Sequence, residues 1–185
     1  MGSTTSIADA YEAVRNAKAQ LLEAIRAAGP EPVVDWELRD PAGSPVRLSE
    51  LFGDHDDLLM VHNMGKGCSY CTLWADGFRG IADHLRQRCA FALCSNDPPE
   101  VLKDFSAERG WGYPCVSGAD TDFAKTMGYA DDQGRPLPGV SSFHREPGGS
   151  IVRIAHTPFG PGDDFCAVWP LFDLLRDGPD EYRPR

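Results

Sequence analysis

The sequence has no run of 18 or more apolar residues and no basic segment followed by an apolar core near its start. We therefore expect neither a membrane span nor a signal peptide, and we expect a cytoplasmic protein. Basic residues are also few: 18 Lys and Arg stand against 28 Asp and Glu, a formal net charge of −10. That charge repels a phosphate backbone, so we expect no nucleic-acid partner.

Cysteines are too few for a disulfide scaffold in a chain of 185 residues. The six are Cys68, Cys71, Cys89, Cys94, Cys115 and Cys166. In a reducing compartment, the spacing Cys68-x-x-Cys71 indicates redox chemistry or a metal site. A four-cysteine zinc site needs a second close pair, and Cys89 and Cys94 are predicted to face opposite ways on one strand. We therefore favour redox chemistry, keep zinc as the weaker alternative, and predict no metal and no cofactor.

A strand, a glycine-containing loop and a helix are predicted around this pair. Asp57 to Val61 form a short apolar run, typical of a buried strand, and two glycines follow soon after it. From Cys71 to Leu85 apolar residues recur every three or four positions, which predicts one helix with a single buried face. Cys68 and Cys71 are therefore expected in the first helical turn, within bonding distance of each other.

A cysteine at a helix N-terminus is predicted to be reactive. Unpaired N–H groups and the positive end of the helix dipole favour the thiolate there, and thiols in such motifs have pKa values of roughly 3.5 to 7.5. Lys66 adds a positive charge nearby. We predict Cys68 and Cys71 as the catalytic residues. Trp74 is expected in the core of the helix face, with a docking surface beside the cysteines as the alternative.

The rest of the chain alternates predicted helices and strands. The main elements expected are a helix over Ser6 to Ala28, a strand over Val33 to Leu38 paired with Val46 to Leu48, a strand over Cys89 to Cys94, a helix before Gly110, a hairpin of Val140 to Glu146 with Ser150 to His156, and a helix over Phe165 to Arg176. This order predicts a three-layer α/β/α fold with a central mixed sheet.

Three regions follow from this pattern. Residues 1–29 are an amphipathic helical extension, residues 30–178 form the domain, and residues 179–185 are a polar tail. The apolar face of the extension must pack either on the domain or against another subunit, and the sequence leaves both open. If the helix packs against another subunit, the protein forms a homo-oligomer through this helix.

The cysteine segment carries a resemblance to a known family. The run CSYCTLWADGF at 68–78, with GWGYP at 110–114 and Val116-Ser117, is similar to a bacterial thioredoxin-like family labelled a domain of unknown function. The match runs from about Val33 to Leu175 and implies the thioredoxin fold. The leader Gly43 to Phe52 resembles the entry to peroxiredoxin-like and thiol-reductase members of that superfamily.

The resemblance also suggests roles for residues before Cys68. Thioredoxins carry a buried acid in the strand before the cysteines, where it moves protons for the second thiol. His62 lies in a comparable place, so we predict that its imidazole does this work. Peroxiredoxins keep a Pro and a Thr just ahead of the attacking cysteine, whereas Met64 and Gly65 stand four and three residues before Cys68 here.

The function expected from these features is thiol-disulfide exchange. Cys68 would attack a protein or small-molecule disulfide, Cys71 would resolve the mixed disulfide, and an external dithiol would reduce the pair. One alternative is a peroxiredoxin-like thiol peroxidase that uses Cys68. The other is a non-enzymatic binding or assembly protein with the same fold, built through the N-terminal helix.

Overall fold

The computed structural model describes residues 5–185 and is built around one eight-stranded mixed sheet. Its strands are β1 (Glu31–Val33), β2 (Glu37–Arg39), β3 (Pro45–Arg47), β4 (Asp57–Asn63), β5 (Ala90–Ser95), β6 (Cys115–Ser117), β7 (Gly139–Arg145) and β8 (Ile151–Pro158). Across the sheet their order is β1-β8-β7-β4-β5-β6-β2-β3. Strands β4, β5 and β6 run parallel, whereas β7 is antiparallel to β4.

Residues 5–185 also form six α-helices: α1 (Ile7–Ala28), α2 (Ser69–Phe78), α3 (Ala82–Arg86), α4 (Pro99–Arg109), α5 (Phe123–Thr126) and α6 (Val168–Phe172). A 3₁₀ turn covers Leu48–Phe52. Within residues 5–185, no helix is both long and apolar enough to cross a bilayer.

Each face of the sheet packs a separate core because successive side chains of a strand point to opposite faces. On β4, Met60 belongs to one core and Val61 to the other. The α2-side core contains Val61, Trp74, Ala75, Phe78, Phe91, Leu93, Leu102, Trp111, Tyr113, Phe159 and Trp169. The α5-side core contains Leu38, Leu48, Phe52, Leu58, Met60, Val116, Phe123, Tyr129 and Phe143. Helical elements on both faces confirm the predicted three-layer α/β/α architecture.

The single strand predicted over Val33 to Leu38 is wrong, because the chain there forms two strands. Strand β1 pairs with β8 at one edge of the sheet, whereas β2 pairs with β3 and β6 near the other edge. Between them, the Asp35 carboxylate accepts hydrogen bonds from the N–H and hydroxyl groups of Ser49, both at 2.8 Å. The chain therefore leaves one sheet edge and reaches the other within a few residues.

The predicted helix that follows the cysteines is also interrupted. Helix α2 ends at Phe78, and α3 begins at Ala82 after a break that includes Gly80. Glycine is a poor helix former, which is consistent with a break at this point. The closing helix is shorter than predicted, since α6 covers only Val168–Phe172, with Pro170 in its first turn, where proline is tolerated.

Helix α1 confirms the helix predicted over Ser6 to Ala28. The Ser6 hydroxyl accepts the N–H of Asp9, and the Asp9 carboxylate accepts the N–H of Ser6, so the helix begins with a reciprocal capping box. No described α1 residue is buried, and Ile7, Tyr11, Val14, Leu21 and Leu22 are exposed. Packing of this face against another subunit therefore stays a prediction. Residues 1–4 of the predicted extension lie outside the described residues.

Candidate active site at the start of helix α2

The cysteine pair lies where β4 leads into α2. Strand β4 ends at Asn63, a short loop follows, and Cys68 is the N-cap residue of α2, with extended backbone angles. The Cys68 sulfur accepts the backbone N–H of Cys71 at 3.2 Å, as an N-cap side chain does. The structure therefore brings the two predicted catalytic residues together, with Cys68 one position outside the first helical turn.

The two thiols are chemically unequal. A hydrogen bond from the Cys71 side chain lowers the pKa of Cys68 to about 6; burial acts against this, and the backbone N–H groups of Cys71 and Tyr70 support it. The pKa of Cys71 is raised by the same hydrogen bond to Cys68, by burial and, to a smaller extent, by the negative charge of Asp97. Cys68 is half-buried and Cys71 is buried. Of the two thiols, Cys68 is therefore the one that is more exposed and ionises more easily.

The Lys66 side chain is exposed, and Lys66 holds the loop through its backbone. Its N–H donates to the Asp97 carboxylate at 2.7 Å. The groups that lower the pKa of Cys68 are the Cys71 thiol and backbone N–H groups. Stabilisation of the thiolate by the Lys66 ammonium therefore stays a prediction.

His62 points away from the cysteines, into the α5-side core. Its ring stacks on Tyr129 with centroids 3.8 Å apart and on Phe123 at 5.6 Å, and its Nε2 lies 3.0 Å from the Ser141 hydroxyl. Helix α2 packs on the opposite sheet face. Burial, with smaller contributions from the positive charges of Arg153 and His156, lowers the pKa of His62 to about 3. The structure does not place His62 where it could move protons for Cys71.

Trp74 lies in the α2-side core, as expected from its position on the helix face. It is buried, and its ring centroid is 5.3 Å from that of Phe159 and 6.2 Å from that of Tyr70. Its indole N–H has no hydrogen-bond partner among the described residues. Tyr70, which lies beside Trp74, is half-buried.

Two polar residues that the sequence analysis missed hold the cysteine loop. The side chain of Asn63 accepts the N–H of Gly65 at 2.7 Å and donates to the carbonyl of Cys71 at 3.4 Å. The Asp97 carboxylate, just after β5, accepts the backbone N–H of Lys66. An Asn two residues before a Gly, at the end of a strand, is a turn signal that could have identified Asn63. No local sequence signal places Asp97 beside the cysteine loop, because it follows β5 and reaches the loop only through the pairing of β5 with β4.

The other four cysteines are buried and their thiols are free. Burial raises the pKa of Cys94 and of Cys115 to about 12, which removes their thiolate character near neutral pH. Within residues 5–185, no three His, Cys, Asp or Glu side chains are grouped so that they could hold a metal ion.

The low pKa of Cys68 predicts the pH dependence of its alkylation. Because the thiolate is the reacting form, the rate of carbamidomethylation should rise with pH, reach half its plateau near pH 6 and stay flat above about pH 7. Quenched-flow labelling followed by peptide mass spectrometry measures this rate for Cys68 alone. A midpoint near 8.5, the value of an ordinary thiol, would contradict the assignment.

The sequence profile of a family described as "Bacterial protein of unknown function (DUF899)" matches residues 12–184. The chain belongs to this family. The match covers nearly the whole chain and confirms the resemblance to a bacterial family of unknown function.

The DUF899 protein is also similar to proteins named as peroxiredoxins. Two Mycobacterium tuberculosis sequences, each named "Putative peroxiredoxin", are 33% identical to it over 101 residues, which is 53% of this chain and 64% of theirs. The chain thus matches less than two thirds of the length of these curated relatives.

Solved structures confirm the peroxiredoxin-like and thioredoxin-like fold. A peroxidoxin, BcpB, from Mycobacterium tuberculosis aligns with a TM-score of 0.54 and 25% identity over 70% of this chain and 84% of that one. Reduced Prx3 from Vibrio vulnificus, solved in complex with H₂O₂, aligns with a TM-score of 0.59 and 14% identity over 73% of this chain and 89% of that one.

In the DUF899 protein, the WADGF and GWGYP segments pack against each other. Asp76 forms an ion pair with Arg109 and accepts the indole N–H of Trp111 at 2.9 Å, and the Tyr113 hydroxyl donates to the carbonyl of Ala75 at 2.7 Å. Burial raises the pKa of Asp76, but the hydrogen bonds from Arg109 and Trp111, with the nearby positive charges, outweigh burial and lower the pKa overall. The contacts join α2 to the end of α4 and to the segment before β6, and so hold the helix that Cys68 caps.

Proposed function

We propose that this protein is a thiol-disulfide oxidoreductase that uses Cys68 as nucleophile and Cys71 as resolving thiol. The observation that carries the proposal is the unequal pair at the start of α2: the half-buried Cys68 sulfur accepts the backbone N–H of Cys71 and has a lowered pKa, whereas Cys71 is buried and has a raised pKa. The similarity to proteins named as peroxiredoxins supports a thiol-dependent redox function.

The reaction proceeds in two displacements. The Cys68 thiolate attacks one sulfur of the substrate disulfide, forms a mixed disulfide and releases the other substrate sulfur as a thiolate. Cys71 then loses its proton to solvent and attacks the Cys68 sulfur, which forms the Cys68–Cys71 disulfide and releases the second substrate thiolate. The substrate gains two electrons, the cysteine pair loses two, and an external dithiol restores the pair.

Thiol trapping across a series of glutathione potentials tests this proposal. We expect one reversible disulfide, mapped to Cys68 and Cys71, with a midpoint between roughly −120 and −270 mV, the span of known exchange proteins. Cys115→Ala serves as the matched control, because this buried cysteine should not alter the titration. If both thiols stay free at every potential, the proposal fails.

A second candidate is a thiol peroxidase, which the named relatives favour. In that reaction the Cys68 thiolate attacks a peroxide oxygen, becomes a sulfenic acid and releases water or an alcohol. Cys71 then condenses with the sulfenic acid, so that a disulfide forms and water leaves. Consumption of hydroperoxide at catalytic protein concentration, with a dithiol as reductant, distinguishes this activity from disulfide exchange.

A third candidate function is non-enzymatic: the exposed apolar face of α1 would bind a second copy of the chain or another protein. Sedimentation analysis of the wild type and of Leu21→Glu/Leu22→Glu separates assembly through this face from the cysteine chemistry. An assembly state that is insensitive to these substitutions would remove α1 as the interface.

A further inference from the structure

The loop between β4 and Cys68 is held from the neighbouring strand by Asp97. One carboxylate oxygen, Oδ2, accepts the N–H of Lys66 at 2.7 Å and the hydroxyl of Ser95 at 3.2 Å. The Asp97 backbone is fixed as well, because its N–H donates to the Ser95 hydroxyl at 3.0 Å and its carbonyl accepts the Ser117 hydroxyl at 2.6 Å. Asp97 is therefore anchored to β5 and β6, and its carboxylate is directed at the cysteine loop.

Gly65 makes this close approach of the carboxylate possible. A Cβ atom at this position would lie 2.6 Å from Oδ1 of Asp97, closer than such atoms come in proteins. The φ angle of Gly65 is +110°, a region that side-chain-bearing residues rarely adopt. The bare backbone of Gly65 thus allows the negative charge to reach the inside of the loop.

The same loop touches the resolving thiol. The Met64 backbone interacts with the Cys71 side chain, and the Asn63 amide donates to the Cys71 carbonyl at 3.4 Å. The negative charges of Cys68, at the start of α2, and of Asp97, after β5, both raise the pKa of Cys71. Lys66 lies in the loop between them with its side chain exposed.

We propose that Asp97 is a positioning residue for the cysteine pair: its carboxylate fixes the loop before Cys68 and, held in that place, its negative charge disfavours ionisation of Cys71. This inference rests on the proposed disulfide exchange and gives a reason why Cys68 attacks first and Cys71 second. With its proton retained, Cys71 remains the donor to the Cys68 thiolate, so that only Cys68 can begin the reaction.

The two displacements can be observed separately with dithiobis-nitrobenzoate, an aromatic disulfide that releases a coloured thiolate at each step. The first coloured thiolate leaves when Cys68 forms the mixed disulfide, and the second leaves when Cys71 displaces it. In Asp97→Asn the amide can still accept the N–H of Lys66, but it has no charge, so Cys71 should ionise more easily. We expect the pH profile of the second phase to move down by about one pH unit, an acceleration of about tenfold on the rising limb.

Two further variants separate the charge of Asp97 from a merely structural role. Asp97→Glu keeps the charge and should retain the wild-type pH profile of the second phase, whereas Asp104→Asn removes an exposed carboxylate on α4 and should change neither phase. An unchanged or upward-shifted second phase in Asp97→Asn overturns the inference. Absence of a second phase in the wild type would instead overturn the exchange mechanism, so the two failures are distinguishable.

Discussion

Replacement of Cys68 by serine should reduce disulfide exchange roughly a thousandfold or more, a loss comparable to that caused by removing the nucleophile of other enzymes. A serine hydroxyl is not ionised near neutral pH, whereas the pKa of Cys68 is lowered to about 6, so the variant lacks the attacking anion. The assay follows reduction of glutathione disulfide with dithiothreitol as the regenerating dithiol. The fold should survive, because Cys68 is only half-buried and a serine can cap α2 in its place.

Cys71→Ser provides the matched comparison at the other thiol. Without a resolving thiol, the first displacement still occurs, and the Cys68–substrate mixed disulfide should accumulate and be visible as a mass increase on the intact protein. The serine hydroxyl can still donate to the Cys68 sulfur, so Cys71→Ala is the variant that removes the donor; it should raise the pKa of Cys68 and slow the first displacement near pH 6. Equal exchange rates for Cys68→Ser and the wild type would show that the nucleophile lies elsewhere.

The free energy of unfolding should fall steeply in acid because of His62. Burial lowers its pKa to about 3 in the folded protein, whereas an unfolded histidine titrates near 6.5. Between these values the unfolded chain binds the extra proton, so stability falls as pH falls. This contribution is fully present above about pH 6.5, and roughly 2–3 kcal/mol of it should be lost between pH 7 and pH 4.5.

Urea denaturation across this pH range measures the free energy of unfolding of the wild type and of two histidine variants. His62→Gln removes the titrating group and can still bond to the Ser141 hydroxyl, so its unfolding free energy should depend less on pH than that of the wild type. His84→Gln, at an exposed position, controls for the loss of a histidine as such. Parallel pH dependences for the wild type and His62→Gln would contradict the burial-induced shift.

Local patterns in the chain predicted much of this fold. Helix α1, the strand before the cysteines, the β2–β3 and β7–β8 hairpins and the stop of α4 at Gly110 follow from periodicity, turn residues and caps, which act over a few positions. The placement of Cys71 in the first helical turn follows from the same signals, whereas Cys68 lies one position before that turn as the N-cap. The failures came where distant pairing decided the outcome, as when β1 and β2 joined opposite edges of the sheet.

By itself, the sequence determined the α/β class and the position of two cysteines at the start of a helix, because strand, loop and helix signals are local. Only the tertiary structure decided which groups surround those cysteines. The alternation of side chains along β4 turns His62 to the α5-side core, and the pairing of β4 with β5 brings Asp97 to the cysteine loop. The inequality of the two thiols likewise depends on burial and on neighbours that fold from other strands, and so it exists only in the assembled sheet.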